Sequence, residues 1–213
     1  MSNSTKIKIC GITNLEDGRF ASGLFVDYLG FIFYDKSPRY IESAKAGAII
    51  NWLEGPEKIG VFVNQPLDEV NETAKLTGLD YVQLHGTESP KYCELVEKPV
   101  IKVIHVRQDS TKEDLQESIN AYEEVAEFFL FDTKVGDNWG GTGKTFDWNL
   151  ISELTTKPFF LSGGLNVDNV NDAINFVSPY AVDVSSSIEE EPGLKDLEQM
   201  EAFVHAVKPV ELI

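Results

Sequence analysis

Cysteine is scarce in this chain of 213 residues: only Cys10 and Cys93 occur. Two distant thiols exclude a disulfide-built scaffold, and neither has a partner at the C-x-x-C spacing of a thiolate metal site, so free thiols are expected. Long apolar runs are missing too. None approaches the roughly 18 to 20 residues that a helix needs to cross a bilayer, and the opening Met-Ser-Asn-Ser-Thr lacks a signal peptide's apolar segment. A cytoplasmic location is the expectation. Positive charge is also short, with 18 Lys and Arg against 35 Asp and Glu and a net charge of −17. Nucleic acids and anionic membranes need basic patches, so neither is an expected partner. An anionic ligand would need a local site of backbone N–H groups or selected cations to overcome this field. No linker rich in Pro, Gly and Ser interrupts the chain, and one domain over residues 1–213 is expected.

What is present is a strict alternation of short apolar strands with helical segments. Lys6 to Ile9 alternate polar and apolar, and Gly11 breaks that strand just after Cys10. Thr13 and Glu16 have the spacing of a capping box that opens a helix over 14–22. Further strands are predicted over 27–33, 58–63, 81–84, 100–104, 128–131, 158–161 and 181–184. Helices are predicted over 43–53, 66–77, 90–96, 110–125, 147–154, from Asn166, and over 194–207. Pro66 and Pro90 suit a first helical turn, Gly78 a helix stop, and Ser110 with Glu113 a second capping box. Eight strand-then-helix units imply a parallel sheet and an α/β fold, a single (β/α)8 TIM barrel. A doubly wound open sheet competes, but it would have five or six strands and a Gly-rich turn after the first.

In a barrel the strand-end residues Cys10, Arg39, Asn64, His85, His105, Asp132, Gly163 and Ser185 share one rim, where such enzymes do their chemistry. A lone cysteine usually packs as a small hydrophobe. Cys10, however, sits at a strand end near a helix start and near Lys8, both of which favour thiolate. The loop Asn138-Trp-Gly-Gly-Thr-Gly-Lys-Thr145 nearly matches a P-loop but lacks its first glycine, and its helix starts too late. A Gly-rich loop over a ligand fits better. Gly163-Gly164 and Ser185-Ser186-Ser187, after the last two strands, are the better phosphate candidates. Ser186 and Glu189 have capping-box spacing, so a short helix starting at Ser187 is expected to aim N–H groups at the anion.

The chain resembles the phosphoribosylanthranilate isomerase family. The matching segments are Lys8-Ile-Cys-Gly-Ile-Thr13, Ser37-Pro-Arg39, Gly60-Val-Phe-Val-Asn64, Val82-Gln-Leu-His-Gly86, Phe131-Asp132, Gly140-Gly-Thr-Gly143 with Phe146-Asp-Trp148, Ser162-Gly-Gly-Leu165 and Asp183-Val-Ser-Ser186. They run in order through nearly the whole sequence, and one departure is Ser187, where the family usually has glycine. The resemblance implies an Amadori rearrangement of N-(5-phosphoribosyl)anthranilate in tryptophan biosynthesis, without metal or cofactor, on a small phosphosugar substrate, by a monomer or homodimer. It gives Asp132 the role of general acid and Cys10 that of general base. A carboxyl of about 3.9 and a thiol of about 8.5 would both need their pKa values moved toward neutrality. It also implies Arg39 for the anthranilate carboxylate, Gly163, Gly164, Ser185 and Ser186 with Gly141 and Thr142 for the phosphate, and Asp183 as a further substrate-binding residue. Lys8 serves the thiol or pairs with Asp183 in the barrel interior. His85 and His105 are expected to orient loops, Cys93 to pack inside the fourth helix, and His205 to have no role. The nearest alternative is another phosphosugar isomerase of this barrel class, such as the histidine-pathway enzyme, which would have aspartate in place of Cys10. A metal-dependent epimerase would want more His and Asp ligands. A non-catalytic phosphosugar binder would not need Cys10 and Asp132.

Overall fold

The computed structural model describes residues 5–133 and 145–208. Strands β1 (Lys6–Cys10), β2 (Tyr28–Ile32), β3 (Glu57–Phe62), β4 (Tyr81–Leu84), β5 (Val100–Val106), β6 (Phe128–Thr133), β7 (Phe159–Leu161) and β8 (Ala181–Val184) lie in chain order around a closed parallel barrel. Its seam is the pairing of β8 with β1, in which Lys8 stands opposite Asp183. Helices α1 (Leu15–Gly23), α2 (Ser43–Ile50), α3 (Leu67–Thr77), α4 (Pro90–Cys93), α5 (Lys112–Tyr122), α6 (Val170–Val177) and α7 (Leu197–Val207) follow the strands on the outside. Period-2 alternation divides the core. Ile7, Ile9, Leu29 and Phe31 point outward into the large cluster beneath the helices. Tyr28, Ile59, Ile101, Leu130 and Phe160 belong to a separate cluster inside the barrel. These aromatic and branched side chains leave no pore, so polar interior residues gather toward the carboxyl end.

Three expected caps move along the chain, two of them by one residue and one by three. Asn14, not Thr13, caps α1, accepting from the Asp17 backbone N–H at 2.8 Å, because the Thr13 hydroxyl donates to the Gly193 carbonyl. Likewise Thr111 and Asp114 form the capping box of α5 while the Ser110 hydroxyl accepts from the Arg107 N–H. Asn169 is the N-cap of α6, and the Asn166 side chain instead accepts N–H bonds from Asp168 and Asn169 in the preceding turn. The helix expected over 147–154 is only a 3₁₀ turn, Trp148–Leu150, because Glu153 takes a left-handed backbone with φ 64°. Leu194 and Lys195 form a short strand, β10 (Leu194–Lys195), antiparallel to β9 (Glu189–Glu191), so the last helix begins only after the Asp196 cap. α4 also stops early, at Cys93, where the following N–H groups switch to the tighter three-residue bonds Leu95 to Tyr92 and Val96 to Cys93.

A buried ion pair fixes the loops after β3 and β4. Lys102, on β5, donates to the Leu84 and Gly86 carbonyls and pairs with the Glu88 carboxylate at 2.8 Å. The other oxygen of Glu88 accepts from the Asn64 and Gly86 N–H groups. His85 lies inside this clasp. Glu88→Ala would leave a buried ammonium without its counter-ion and two backbone donors without their acceptor, so a stability loss of about 3–5 kcal/mol by urea unfolding is expected. A loss below about 1 kcal/mol, as for an exposed pair, would contradict that role.

Candidate active site

Toward the carboxyl ends of the strands, Cys10, Asp132, Gly163, Gly164, Asp183, Ser185 and Ser186 line one cavity. Those seven sequence-predicted residues are therefore brought together. Gly141 and Thr142, and the Gly-rich loop up to residue 144, fall outside the described residues. A larger cavity, of about 820 Å³, lies at the opposite end of the barrel between Lys6, Asp27 and Tyr180 and contains none of these residues. Size does not mark the site here; the convergence of reactive groups does.

Inside the barrel the Lys8 ammonium is fully buried, 3.0 Å from Asp183 Oδ1 and 2.9 Å from Gln83 Oε1. Burial opposes its charge, but Asp183 and the neighbouring Cys10 thiol hold its pKa above the ordinary lysine value. Burial also lifts the Asp183 carboxyl, against the pull of Lys8 and with some help from Asp132. The Cys10 thiol, 6 % exposed, is pushed up by burial, which outweighs the Lys8 and Lys195 ammonium groups nearby. The expected downward shift is thus reversed in the resting site. Desolvation is the larger effect, and the start of α1 is already occupied by its own Asn14 cap. Beneath the thiol, Gly30 is obligatory: a Cβ there would stand 2.6 Å from Cys10 Sγ.

Asp132, the next-to-last residue of β6, lies inside the barrel with its Oδ2 3.3 Å from His85 Nε2. His105 donates from Nε2 to the His85 carbonyl at 2.9 Å, so it orients the loop as expected. His85 does more than orient a loop, since it lines the cavity itself. Asn64 serves the next loop, accepting from the Thr87 N–H. Gly163 (φ 90°) brings its α-carbon so near β6 that a Cβ would lie 2.7 Å from the Thr133 nitrogen, which closes the seventh loop over the cavity floor.

The helix expected at Ser187 is a single 3₁₀ turn, Ser186–Ile188, and the Glu189 side chain does not cap it. Glu189 instead accepts from Arg39 Nε and Nη2 and from Lys195 Nζ, a buried triad at the rim. Burial works against the Glu189 charge, and the two cations more than offset it, leaving its pKa below the usual carboxylate range. Lys195, despite this partner, is held below the usual lysine value by burial. Arg39 therefore arrives at the rim with its Nε–Nη2 edge taken, and its Nη1–Nη2 edge is the one left for a second carboxylate. Ser185 donates its hydroxyl to the Cys10 carbonyl, and Ser187 donates to the Leu165 carbonyl without a left-handed backbone, so serine fits where glycine is usual in the resembled family. Sequence reasoning missed Gln83, Lys195 and Gly30, and it gave Glu189 a capping role in place of its ion pairs. Of the three missed, Gln83 left a signal, two residues before His85 and so on the same strand face.

Residues 7–206 match the family model described as N-(5'phosphoribosyl)anthranilate (PRA) isomerase. The N-(5'-phosphoribosyl)anthranilate isomerase of Pseudomonas putida is 44 % identical over 202 residues, covering 94 % of this chain and 96 % of its own. The crystal structure of the phosphoribosyl anthranilate isomerase from Thermotoga maritima superposes with a TM-score of 0.87 at 39 % identity, covering 97 % of this chain and all of that one (100 %). A phosphoribosyl anthranilate isomerase in complex with reduced 1-(O-carboxyphenylamino)-1-deoxyribulose 5-phosphate matches with a TM-score of 0.84 at 38 % identity, over 97 % of this chain and 100 % of that one.

The raised thiol predicts a pH dependence. A raised pKa keeps Cys10 protonated until the pH passes the ordinary thiol value, so alkylation needs alkali. In Cys93→Ser protein, used because Cys93 is itself a thiol pushed up to about 11, iodoacetamide labelling followed by intact mass should be slow near neutrality. It should rise about tenfold per pH unit to beyond about pH 9. Lys8→Met should slow it further at each pH, since the cation that opposes burial is gone. A rate that levels off below about pH 8 would overturn this account.

Proposed function

The chain belongs to the N-(5'-phosphoribosyl)anthranilate isomerase family, and from that premise we propose which of its residues carry the reaction. It is an isomerase of tryptophan biosynthesis. The observation that carries the residue assignment is that Cys10 and Asp132 line one cavity together with the loops at Gly164 and Ser186.

Asp132 delivers a proton to the furanose oxygen of the substrate; the C1′–O bond breaks as the aniline nitrogen lone pair forms the Schiff base. Cys10, as thiolate, then removes the C2′ proton, and the electron pair left behind moves through C1′ to neutralise the iminium nitrogen. The resulting enol-amine becomes the 2′-ketone as C1′ takes up a proton and the 2′-hydroxyl loses one, so the substrate gains and loses two protons in all. Lys8 is the counter-ion for the thiolate, its ammonium being held in the barrel interior by Asp183 and Gln83. Because burial holds Cys10 protonated, its proton must leave before the second step, and the Lys8 charge makes that ionisation less unfavourable. The phosphate sits against Gly163, Gly164, Ser185 and Ser186, with Gly141 and Thr142 from the preceding loop. Asp183 fixes Lys8, and the free edge of Arg39 takes the anthranilate carboxylate. The phosphosugar substrate, a monomeric or homodimeric state and a cytoplasmic location belong to the same proposal. No helix among the described residues is long and apolar enough to cross a membrane.

Loss of anthranilate fluorescence on incubation with phosphoribosylanthranilate tests it. Cys10→Ser and Asp132→Asn should each lower kcat by about 10²- to 10⁴-fold while substrate still binds. Arg39→Ala should chiefly raise KM. Unchanged rates in both catalytic variants would sink the assignment, and a normal KM would remove Arg39 from the anthranilate site.

A further inference from the structure

We propose that Gln83 and His85 are positioning residues for Asp132: the Gln83 amide fixes His85 as the Nε2–H tautomer, and that N–H holds Asp132 Oδ2 as an acceptor, leaving Oδ1 to carry the proton delivered to substrate. The proposal deepens the reading of Asp132 as general acid and rests on it.

The argument begins at Lys8, a group with donors only. Its ammonium stands 2.9 Å from a Gln83 side-chain atom, and that atom must be the oxygen, because the amide nitrogen would set donor against donor. The Gln83 nitrogen is thereby directed at His85 Nδ1, 3.1 Å away. An amide N–H can only donate, so Nδ1 accepts and the ring proton belongs to Nε2. That nitrogen is buried, and the polar group near it is Asp132 Oδ2, 3.3 Å away and outside good hydrogen-bond alignment in the resting geometry. Such contacts tighten when substrate organises an active site. The ring has little freedom otherwise. The His85 N–H is bonded to the Phe62 carbonyl, its own carbonyl is held by His105, and the Glu88–Lys102 clasp closes on the adjoining loop.

One polar line thus runs across the barrel interior, from Asp183 on β8 through Lys8 on β1 and Gln83 on β4 to His85 and Asp132 on β6. The groups that face His85 are Gln83, Asp132 and the edge of the His105 ring, with centroids 5.1 Å apart, while Asp183 and Lys8 lie beyond. The chemical consequence concerns the transition state. As Asp132 gives up its proton it becomes a carboxylate, and an N–H already aimed at Oδ2 turns into a charge-assisted bond at that moment. An interaction that strengthens only there raises kcat and leaves KM nearly untouched.

The test uses the full chain with ¹⁵N-labelled histidine. In the wild type at neutral pH, NMR should show His85 with a bare Nδ1 and a protonated Nε2. Gln83→Glu puts an acceptor against Nδ1 and should move the proton there, with kcat falling about 10- to 100-fold and KM changing little. His85→Gln keeps a donor at the place of Nε2 and should stay within about tenfold of wild type, whereas His85→Ala should lose about 100-fold in kcat. Correct folding of the two His85 variants, checked by circular dichroism, keeps the comparison valid if Gln83→Glu disrupts the Lys8 cluster. An Nδ1–H tautomer in the wild type overturns the proposal, as does a Gln83→Glu tautomer shift with kcat unmoved, or equal kcat for His85→Gln and His85→Ala. Full turnover in Asp132→Asn alongside the expected tautomer would instead overturn the acid role of Asp132 while leaving the hydrogen-bond line in place.

Discussion

A fully buried lysine is the constraint on which the site depends. Lys8 projects from β1 into the barrel, and an ammonium there is tolerable only if its donors are filled. Asp183 and Gln83 fill two of them, from β8 and from β4. The cation therefore fixes side chains on two other strands, and it has consequences at the rim. Gln83 turns its amide toward His85, Asp183 is held beneath the last loop, and the Cys10 thiol gains a positive neighbour. Below this level the interior is apolar, with Tyr28, Ile101, Leu130 and Phe160 filling the barrel. The polar layer is thus the boundary between packed core and reaction chamber.

The same physics reconciles the charge of the chain with that of its substrate. A net charge of −17 repels anions at long range, but screening limits that field to about 10 Å at ordinary salt. Within the site the cations Lys8, Arg39 and Lys195 are sheltered by burial, where charge acts with less screening. Two of them, Arg39 and Lys195, share the Glu189 carboxylate. That carboxylate neutralises Lys195 and holds one edge of the Arg39 fork, so the guanidinium is presented in a fixed orientation rather than as a mobile charge. Acidic surface and anion site coexist because they operate over different distances.

The barrel was legible because each strand carries its own period-2 signal and each helix its own punctuation. Ile7 and Ile9 against Lys6 and Lys8 already separate the outside of β1 from the inside. Catalytic candidates at strand ends followed from that topology. What local sequence does not resolve is a choice between equivalent neighbours. Thr13 and Asn14 are both competent caps, and the decision is made by the Gly193 carbonyl, distant in sequence, which takes the threonine hydroxyl. Glu189 has capping-box spacing from Ser186, yet its partners are Arg39, 150 positions away, and Lys195. Buried ion pairs override local capping because an unpaired interior charge costs more than a missing cap, which is worth about 1 kcal/mol. Lys195 itself, in a strand of two residues, left no periodic signal at all.

Comparing the two thiols shows what makes one of them a candidate base. Cys10 and Cys93 are both buried, both are pushed up by desolvation, and each has a lysine nearby that pulls the other way, Lys8 for one and Lys102 for the other. Proximity of a cation therefore does not distinguish them. Their surroundings do. Lys102 is committed to Glu88 and two carbonyls, and Cys93, the last residue of α4, packs into the core. Cys10 opens onto a cavity and stands over Gly30, where the absence of a side chain gives the sulfur its room. The base is thus specified by an accessible edge and a missing Cβ as much as by charge, and a thiol protonated at rest can still serve because Lys8 is in place to hold the thiolate when it forms.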